Sequence, residues 1–259
     1  WGDYDNDGDL DLYVTNWASS VSNSINRLYK NNGNGSFSDV ASSVGVGDAR
    51  NSVAAAWADY DNDGNLDIYV VNFFEQDQLY RNNGNGTFSL VTRNAGINII
   101  SQGDETNAVW GDYNGDRLPD LYVSNMGGAN RLYRNNGDGT FTDVAPQLQV
   151  TGPNASFPVW FWDFDNDGIL DLFAGSYSGR TSFQVPHHLG KPPNYELACL
   201  YRGDGHGGFR EVADEQGLVY PILAMGANFG DLNNDGYLDF YLGTGDPDYA
   251  SLMPNLMFL

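Results

Sequence analysis

Residues 1–14 read WGDYDNDGDLDLYV, and variants of this block return four more times along the chain. The variants are WADYDNDGNLDIYV (57–70), WGDYNGDRLPDLYV (110–123), WDFDNDGILDLFA (162–174) and FGDLNNDGYLDFYL (229–242). A second block follows each of the first four copies, as in NRLYKNNGNGSF (26–37) and DQLYRNNGNGTF (77–88). Self-similarity of this kind is the sequence signature of a repeat architecture.

Each repeat has the length and the pattern of a small antiparallel sheet. The first aspartates of successive copies lie 51 to 68 residues apart, which suits one four-stranded propeller blade with its loops. In the second repeat, residues 52–57 lead into an acidic loop, 66–71 leave it with alternating polarity, and 78–81 and 88–92 flank an Asn-Gly turn. The sequence therefore predicts an all-β fold, a β-propeller of four-stranded antiparallel blades.

We expect the chain to hold about five blades of a ring of roughly seven. The prediction is a single propeller region over residues 1–259, with repeats at about 1–51, 52–105, 106–156, 157–221 and 222–259. The first repeat lacks most of its first strand and the last repeat lacks its fourth, so these residues alone would close a ring imperfectly. Trp57, Trp110 and Trp160 fall where inner strands pack, and we predict that they belong to the core.

Acidic side chains dominate the composition. With 34 acidic and 12 basic residues, the formal charge is −22, which repels nucleic-acid backbones and anionic membrane surfaces. No apolar run approaches the roughly 20 residues of a membrane span. The single cysteine, Cys199, excludes an internal disulfide. We therefore expect cations as partners, and neither nucleic acid nor direct membrane insertion.

Each copy of the first block contains a nine-residue loop with carboxylates or amides at positions 1, 3, 5 and 9. Oxygen ligands at this density suit a hard cation, and Ca²⁺ accepts about six to eight of them in a more flexible geometry than Mg²⁺ does. Three loops offer four aspartates together with a backbone carbonyl at position 7. They are Asp3, Asp5, Asp7 and Asp11 with the carbonyl of Asp9; Asp59, Asp61, Asp63 and Asp67 with that of Asn65; and Asp163, Asp165, Asp167 and Asp171 with that of Ile169.

The other two loops carry one amide in place of a carboxylate. Their predicted ligands are Asp112, Asn114, Asp116 and Asp120 with the carbonyl of Leu118, and Asp231, Asn233, Asp235 and Asp239 with the carbonyl of Tyr237. The loop from Asp112 is expected to be the weakest, because Arg117 replaces the glycine of the other loops and adds a positive charge. Gly115 and Pro119 are expected to reshape that turn. In total the sequence predicts up to five Ca²⁺ ions, one per loop.

The repeated units are not EF-hands, because position 12 lacks the glutamate ligand and the flanks read as strands. They resemble FG-GAP/VCBS repeats, the calcium-bearing propeller repeats also found in integrin α subunits. The W-x-D-Y-D-N-D-G-x-L-D-L-Y-V and L-Y-R-N-N-G-D-G-T-F blocks are similar to those of the cartilage acidic protein (ASPIC/UnbV-type) group. The resemblance covers essentially the whole chain. It implies a propeller of about seven blades, extracellular placement, and Ca²⁺ as a structural ion between the first and second strands.

Connections between the second and third strands would lie at the end of the blades opposite the acidic loops, where loops on a fixed scaffold often bind ligands. The longest, 175–198, contains Tyr177, Arg180, Phe183, His187, His188, Lys191 and Tyr195, and shorter ones carry Trp17, Phe73, Phe74 and Met126. Aromatic and polar tips of this kind suit a protein or carbohydrate partner.

No nucleophile elbow, phosphate-binding loop or zinc-ligand helix occurs in the sequence, and a carboxylate neutralised by Ca²⁺ is a poor proton donor. We therefore expect no enzymatic activity. The favoured hypothesis is a secreted, cell-surface or periplasmic calcium-binding propeller that acts as an adhesion or ligand-binding scaffold. The alternatives are a structural or assembly-forming surface protein and a non-catalytic propeller segment of a polysaccharide-active enzyme.

Overall fold

The computed structural model of the protein describes residues 1–17, 25–97, 104–177, 189–191, 195–244 and 255–259. These residues form five antiparallel sheets, and within each sheet the strands pair in chain order. The all-β prediction is confirmed, and each sheet is one blade of a β-propeller. We number the blades 1 to 5 along the chain.

The strands of the blades are short. Blade 1 contains β1 (Leu12–Val14), β2 (Arg27–Asn31) and β3 (Phe37–Asp39), and blade 2 contains β4 (Ser52–Ala58), β5 (Asp67–Asn72), β6 (Gln78–Asn82) and β7 (Phe88–Leu90). Blade 3 contains β8 (Asp104–Gly111), β9 (Asp120–Met126), β10 (Arg131–Asn135) and β11 (Phe141–Asp143). Blade 4 contains β12 (Ser156–Trp162), β13 (Asp171–Ser176), β14 (Cys199–Gly203) and β15 (Phe209–Glu211), and blade 5 contains β16 (Ala224–Gly230), β17 (Asp239–Thr244) and β18 (Leu256–Phe258).

Two single-turn helices, α1 (Ala41–Val44) and α2 (Ala145–Leu148), follow the last strands of blades 1 and 3. Within the described part of the chain, neither helix has the length and apolar character needed to cross a membrane. The fourth strand of blade 2 is shorter than the predicted 88–92 and ends at Leu90. The next residues still contact β6, because Val91 donates its N–H to Leu79 and the Thr92 hydroxyl accepts the Leu79 N–H.

The first strand of each complete blade lies on the inside of the arrangement. β8 packs against β4 and β5, β12 against β8 and β9, and β16 against β12. Four clusters of buried apolar side chains fill the spaces between neighbouring blades. Trp160 is buried, and Trp57 and Trp110 are partly buried against these clusters, which confirms their predicted place in the core.

The acidic loops and the bulges of the first strands lie at opposite ends of the blades. Each acidic loop from blade 2 onward joins the first and second strands, so these loops share one end of the blades. At the other end, every first strand carries a bulge near its start, where the pairing register shifts. The shifts lie between Ser52 and Ala54, Glu105 and Asn107, Ser156 and Val159, and Ala224 and Gly226.

Candidate metal centres

The aspartate at position 1 organises each acidic loop around its carboxylate. In loop 1, Asp3 accepts the backbone N–H groups of Asp7 at 3.1 Å and Gly8 at 2.9 Å. The equivalent residues of loops 2 to 5, which accept the same two N–H groups, are Asp59, Asp112, Asp163 and Asp231. The five loops therefore share one backbone geometry although their sequences differ.

Two residues of every loop lie in the left-handed backbone region. Position 4 is an asparagine with φ between 55° and 60° in four loops, and Gly115 with φ 76° in loop 3. Position 6 is a glycine in four loops, and Arg117 with φ 70° in loop 3. Gly115 adopts the same left-handed conformation as the asparagines, so Gly115 does not reshape the turn as expected. Arg117 carries the strain, about 1 kcal/mol or more, that glycine avoids.

The aspartate at position 9 is buried at the base of each loop. Asp67 accepts the N–H of Tyr60 at 3.0 Å and that of Asn82 at 2.7 Å, which ties the loop to the third strand. Burial raises the pKa of Asp67 and of Asp120 to about 7, and that of Asp171 to about 6. A cation beside these carboxylates would lower their pKa values again, because it stabilises the ionised form.

Positions 1, 3 and 9 converge in loops 1, 2 and 4. The oxygen atoms of each set lie within 4.8 Å of one another, and the sets are Asp3, Asp5 and Asp11; Asp59, Asp61 and Asp67; and Asp163, Asp165 and Asp171. In each set the position-3 aspartate has a buried Oδ1 atom with no hydrogen-bond partner. A buried carboxylate oxygen without a partner is unfavourable unless a cation compensates it. These oxygen-only donor sets fit Ca²⁺.

Loops 3 and 5 differ at position 3. Asn114 accepts the N–H of Asp116 at 2.9 Å, and Asn233 accepts that of Asp235 at 2.9 Å, so each amide oxygen is already used inside its loop. Among the described residues, neither loop gathers three carboxylates in the way that loops 1, 2 and 4 do. In loop 3 the Oδ2 atom of Asp120 is buried and has no hydrogen-bond partner. The five loops thus divide into two classes.

The aspartate at position 5 lies outside the convergent sets. Its Oδ1 atom accepts the N–H of the residue at position 7 at 2.9–3.0 Å, which holds the turn through positions 5 to 7. The pairs are Asp7 with Asp9, Asp63 with Asn65, Asp116 with Leu118, Asp167 with Ile169, and Asp235 with Tyr237. Position 5 therefore has a structural role in the loop.

A basic side chain from the third strand reaches each convergent set. Lys30 pairs with Asp5 and Asp7, Arg81 with Asp61 at 2.8 Å and Asp63 at 3.4 Å, and Arg202 with Asp165 at 2.6 Å and Asp167 at 3.3 Å. We call these three residues the basic arms. They were not among the residues predicted for the loops, although a lysine or arginine recurs after Leu-Tyr in every second block. A metal ion at position 3 would compete with the basic arm for the same carboxylate.

Asparagine at position 4 links neighbouring loops. Asn6 donates to the carbonyl oxygen of Gly64 at 3.3 Å. In the same way, Asn62 donates to that of Arg117 at 3.1 Å, and Asn166 to that of Gly236 at 2.7 Å. Gly115 holds this position in loop 3 and has no side chain to donate. The loops therefore form a hydrogen-bonded row that, among the described residues, is interrupted between loops 3 and 4.

Several of the aromatic residues proposed for ligand binding lie at the other end of the blades. The Phe73 ring lies 5.1 Å from that of Trp17 and 4.4 Å from that of Phe74, measured between centroids. Phe74 is 69 % exposed. Four further residues of the longest connection, Arg180, Phe183, His187 and His188, lie outside the described residues.

The chain matches the family model of the FG-GAP-like repeat at residues 3–70, 59–123 and 112–174. Each match begins at position 1 of an acidic loop and ends in the second strand of the following blade. The chain belongs to the FG-GAP-like repeat family. The FG-GAP unit thus covers one loop, the remaining strands of its blade, and the first half of the next blade.

Relatives of this FG-GAP chain include cartilage acidic protein 1 from three vertebrates. The Mus musculus protein is 28 % identical over 184 residues, which are 70 % of this chain and 27 % of the relative. The Xenopus tropicalis protein is 28 % identical over 202 residues, 73 % of this chain and 31 % of the relative. The Homo sapiens protein is 29 % identical over 184 residues, 70 % of this chain and 26 % of the relative. The chain therefore spans between a quarter and a third of the length of these relatives.

One solved structure similar to this FG-GAP chain is that of an Agrocybe aegerita lectin, described for its specific recognition of non-reducing terminal N-acetylglucosamine. The TM-score is 0.48 at 18 % sequence identity, over 89 % of this chain and 60 % of the lectin chain.

Proposed function

We propose that the chain is a calcium-binding propeller in which Ca²⁺ is a structural ion of the acidic loops. The observation that supports this proposal most directly is the buried, unpartnered Oδ1 atom of Asp5, Asp61 and Asp165. In each case two further aspartates offer oxygen atoms within 4.8 Å. A divalent cation at this point would satisfy the orphaned oxygen and offset the repulsion between the crowded carboxylates.

The five loops should differ in their affinity for Ca²⁺. Loops 1, 2 and 4 would bind Ca²⁺ most tightly, because three carboxylates converge in each of them. Loops 3 and 5 would bind it more weakly, since their position-3 amide carries no charge and already accepts a backbone N–H. Calcium affinity in proteins rises with the charge of the ligand set.

The proposed affinity for Ca²⁺ also bears on the location and the role of the protein. Extracellular calcium modules bind at roughly 10⁻⁴ to 10⁻³ M, and sites of that affinity fill only outside the cytosol. We assign the protein to a secreted, cell-surface or periplasmic setting, where the calcium loops stabilise a scaffold whose opposite end binds a ligand. No catalytic step is part of this role, because carboxylates held by Ca²⁺ are poor general acids.

Calorimetric titration of Ca²⁺ into chelator-treated protein tests the proposed sites. Asp61→Asn converts loop 2 to the ligand set of loops 3 and 5, and should remove one ion from the tighter class. Asp138→Asn is the matched control, since Asp138 is an exposed turn residue that accepts hydrogen bonds from Thr140. Equal effects of the two substitutions, or unchanged binding in Asp61→Asn, would contradict the assignment.

A further inference from the structure

Four blades contribute one large side chain each to a single pocket at the end opposite the acidic loops. The residues are Trp17, Phe73, Met126 and Tyr177, and each lies fourteen positions after the first aspartate of its loop. The pocket has a volume of about 230 Å³. The four residues occupy equivalent positions in successive repeats. The pocket therefore arises from the repeated structure of the blades and not from one irregular loop.

The first strands supply a second set of side chains to the same pocket. These are Val53, Thr106, Phe157 and Met225, each six positions before the first aspartate of its loop. All four lie where the pairing register of their strand shifts. A bulge redirects a side chain away from the regular alternation of a strand. We call the pocket formed by the two sets the axial cup.

The walls of the axial cup are almost wholly apolar. The rings of Phe157 and Tyr177 lie 5.5 Å apart, and those of Trp17 and Phe73 lie 5.1 Å apart. The Thr106 hydroxyl is already bonded to Ser124 at 2.9 Å and to the carbonyl of Ser156 at 2.8 Å. Trp17 is 48 % and Met225 51 % exposed, so large apolar side chains face solvent here. Exposed apolar surface of this kind marks interaction sites.

The size of the axial cup limits its occupant. Pockets that enclose drug-sized molecules are typically about 300–1,000 Å³ and include several oriented polar groups. The axial cup is smaller, and its few polar groups do not suit an oligosaccharide. A single large apolar side chain of a partner fits its dimensions, in the manner of an interface anchor residue. Methionines such as Met126 and Met225 adapt readily to such an anchor.

Three carboxylates lie near the first-strand residues of the axial cup. Glu75 accepts the N–H of Asn51 at 3.0 Å, two residues before Val53, and Glu196 accepts that of Ala155 at 3.2 Å, two residues before Phe157. Asp104 starts β8, two residues before Thr106. The nearby Arg50 is already paired with Asp48 at 2.9 Å. With a net charge of −22 for the whole chain, these three carboxylates favour a basic partner.

From these observations we infer that the axial cup is a docking site for a protein partner that inserts one aromatic side chain flanked by lysine or arginine. The inference rests on the proposed function, in which the end opposite the calcium loops binds ligands, and it specifies the site and the partner's chemistry. The aromatic anchor supplies apolar burial, and the flanking cations face Glu75, Asp104 and Glu196.

Selection from a random heptapeptide display library tests the inference. The target is the calcium-loaded protein, and the counter-target is the double variant Phe73→Ser with Tyr177→Ser, with its fold checked by melting. Peptides retained by the target alone should contain one aromatic residue between basic residues. No peptide that distinguishes the two proteins, or enrichment of acidic peptides, would overturn the inference.

The strongest peptide is then synthesised and titrated into protein labelled with ¹³C at the methionine methyl groups. The Met126 and Met225 signals should shift, and that of Met257, on β18, should not. Replacing the peptide's aromatic residue by serine should weaken binding at least tenfold, whereas Phe37→Ala, at an exposed aromatic outside the axial cup, should leave it unchanged. Shifts of Met257 alone would overturn the site.

The same samples separate this inference from the proposed function. Stabilisation by Ca²⁺ without binding that depends on the axial cup would contradict the inference alone. Binding at the axial cup in a protein that Ca²⁺ does not stabilise would contradict the calcium assignment alone.

Discussion

Arg117→Gly in loop 3 separates the conformational effect of this residue from its charge effect. Arg117 holds a φ of 70°, which costs a residue with a Cβ roughly 1–2 kcal/mol. Glycine removes that strain but loses about 0.5–1 kcal/mol to the greater freedom of the unfolded chain. We expect the free energy of unfolding of Arg117→Gly to stay within about 1 kcal/mol of the parent. Arg117→Ala, which keeps the strain, should melt about 2–4 °C below Arg117→Gly.

The charge effect concerns Ca²⁺ affinity. A unit charge about 10 Å from a divalent ion in water contributes about 0.8 kcal/mol before salt screening. Both Arg117→Gly and Arg117→Ala should therefore tighten binding at loop 3 by about two- to fourfold. Arg117→Lys keeps the charge and should leave the affinity unchanged.

Amide signals of Gly115 and Leu118 in a ¹⁵N NMR titration report loop 3, and Gly64 in loop 2 serves as the internal reference. Loop 3 should fill after loop 2 in the parent protein. If Arg117→Gly loosens binding at loop 3, or if Arg117→Lys tightens it as much as Arg117→Gly does, the reasoning about this position is refuted.

The hydrogen bonds, ion pairs and buried carboxylates of the loops should each affect stability or Ca²⁺ binding. Asn62→Gly keeps the left-handed backbone but removes the bond to the Arg117 carbonyl, so chemical denaturation should show a loss of about 0.5–1 kcal/mol, whereas Gly115→Asn should show no loss. Arg81→Met removes the competing basic arm of loop 2 and should tighten its Ca²⁺ binding by about three- to tenfold, and unchanged calorimetric affinity would count against competition. Because the pKa of Asp67 and of Asp120 is raised from 3.8 to about 7, metal-free protein should lose stability as pH rises across that range. Scanning calorimetry in chelator should then give a lower melting temperature at pH 8 than at pH 5, and the reverse order would exclude this linkage.

The sequence predicted those features that depend on residues close together in the chain. The strands and the acidic loops follow from patterns within one repeat, and the exchange of glycine for Arg117 in loop 3 is visible in the same way. Arg117 has the left-handed φ expected at its position, and the lower Ca²⁺ affinity of loop 3 stays a prediction.

Features that depend on distant residues were not predicted. Arg81, on the third strand of blade 2, pairs with Asp61 in the acidic loop, and Asn62 donates a hydrogen bond to Arg117 in the next blade. Neither contact can be read from the spacing of residues within one block. The axial cup forms only because residues at the bulges of four different first strands line the same pocket. The bond from position 5 to position 7 and the contact of position 5 with the basic arm also depend on how the loop is folded.

Thermal melting with and without Ca²⁺ tests the central claim most directly. At the proposed Kd of roughly 10⁻⁴ to 10⁻³ M, about 1 mM free Ca²⁺ stabilises the folded state by about 0.4–1.4 kcal/mol per site. Loops 1, 2 and 4 together should therefore raise the melting temperature by about 3–15 °C, at about 2–4 °C per kcal/mol, and Mg²⁺ should raise it much less. Chelator should reverse the gain, with metal removal verified by elemental analysis. A melting temperature that is the same in chelator and in millimolar Ca²⁺ would contradict the account.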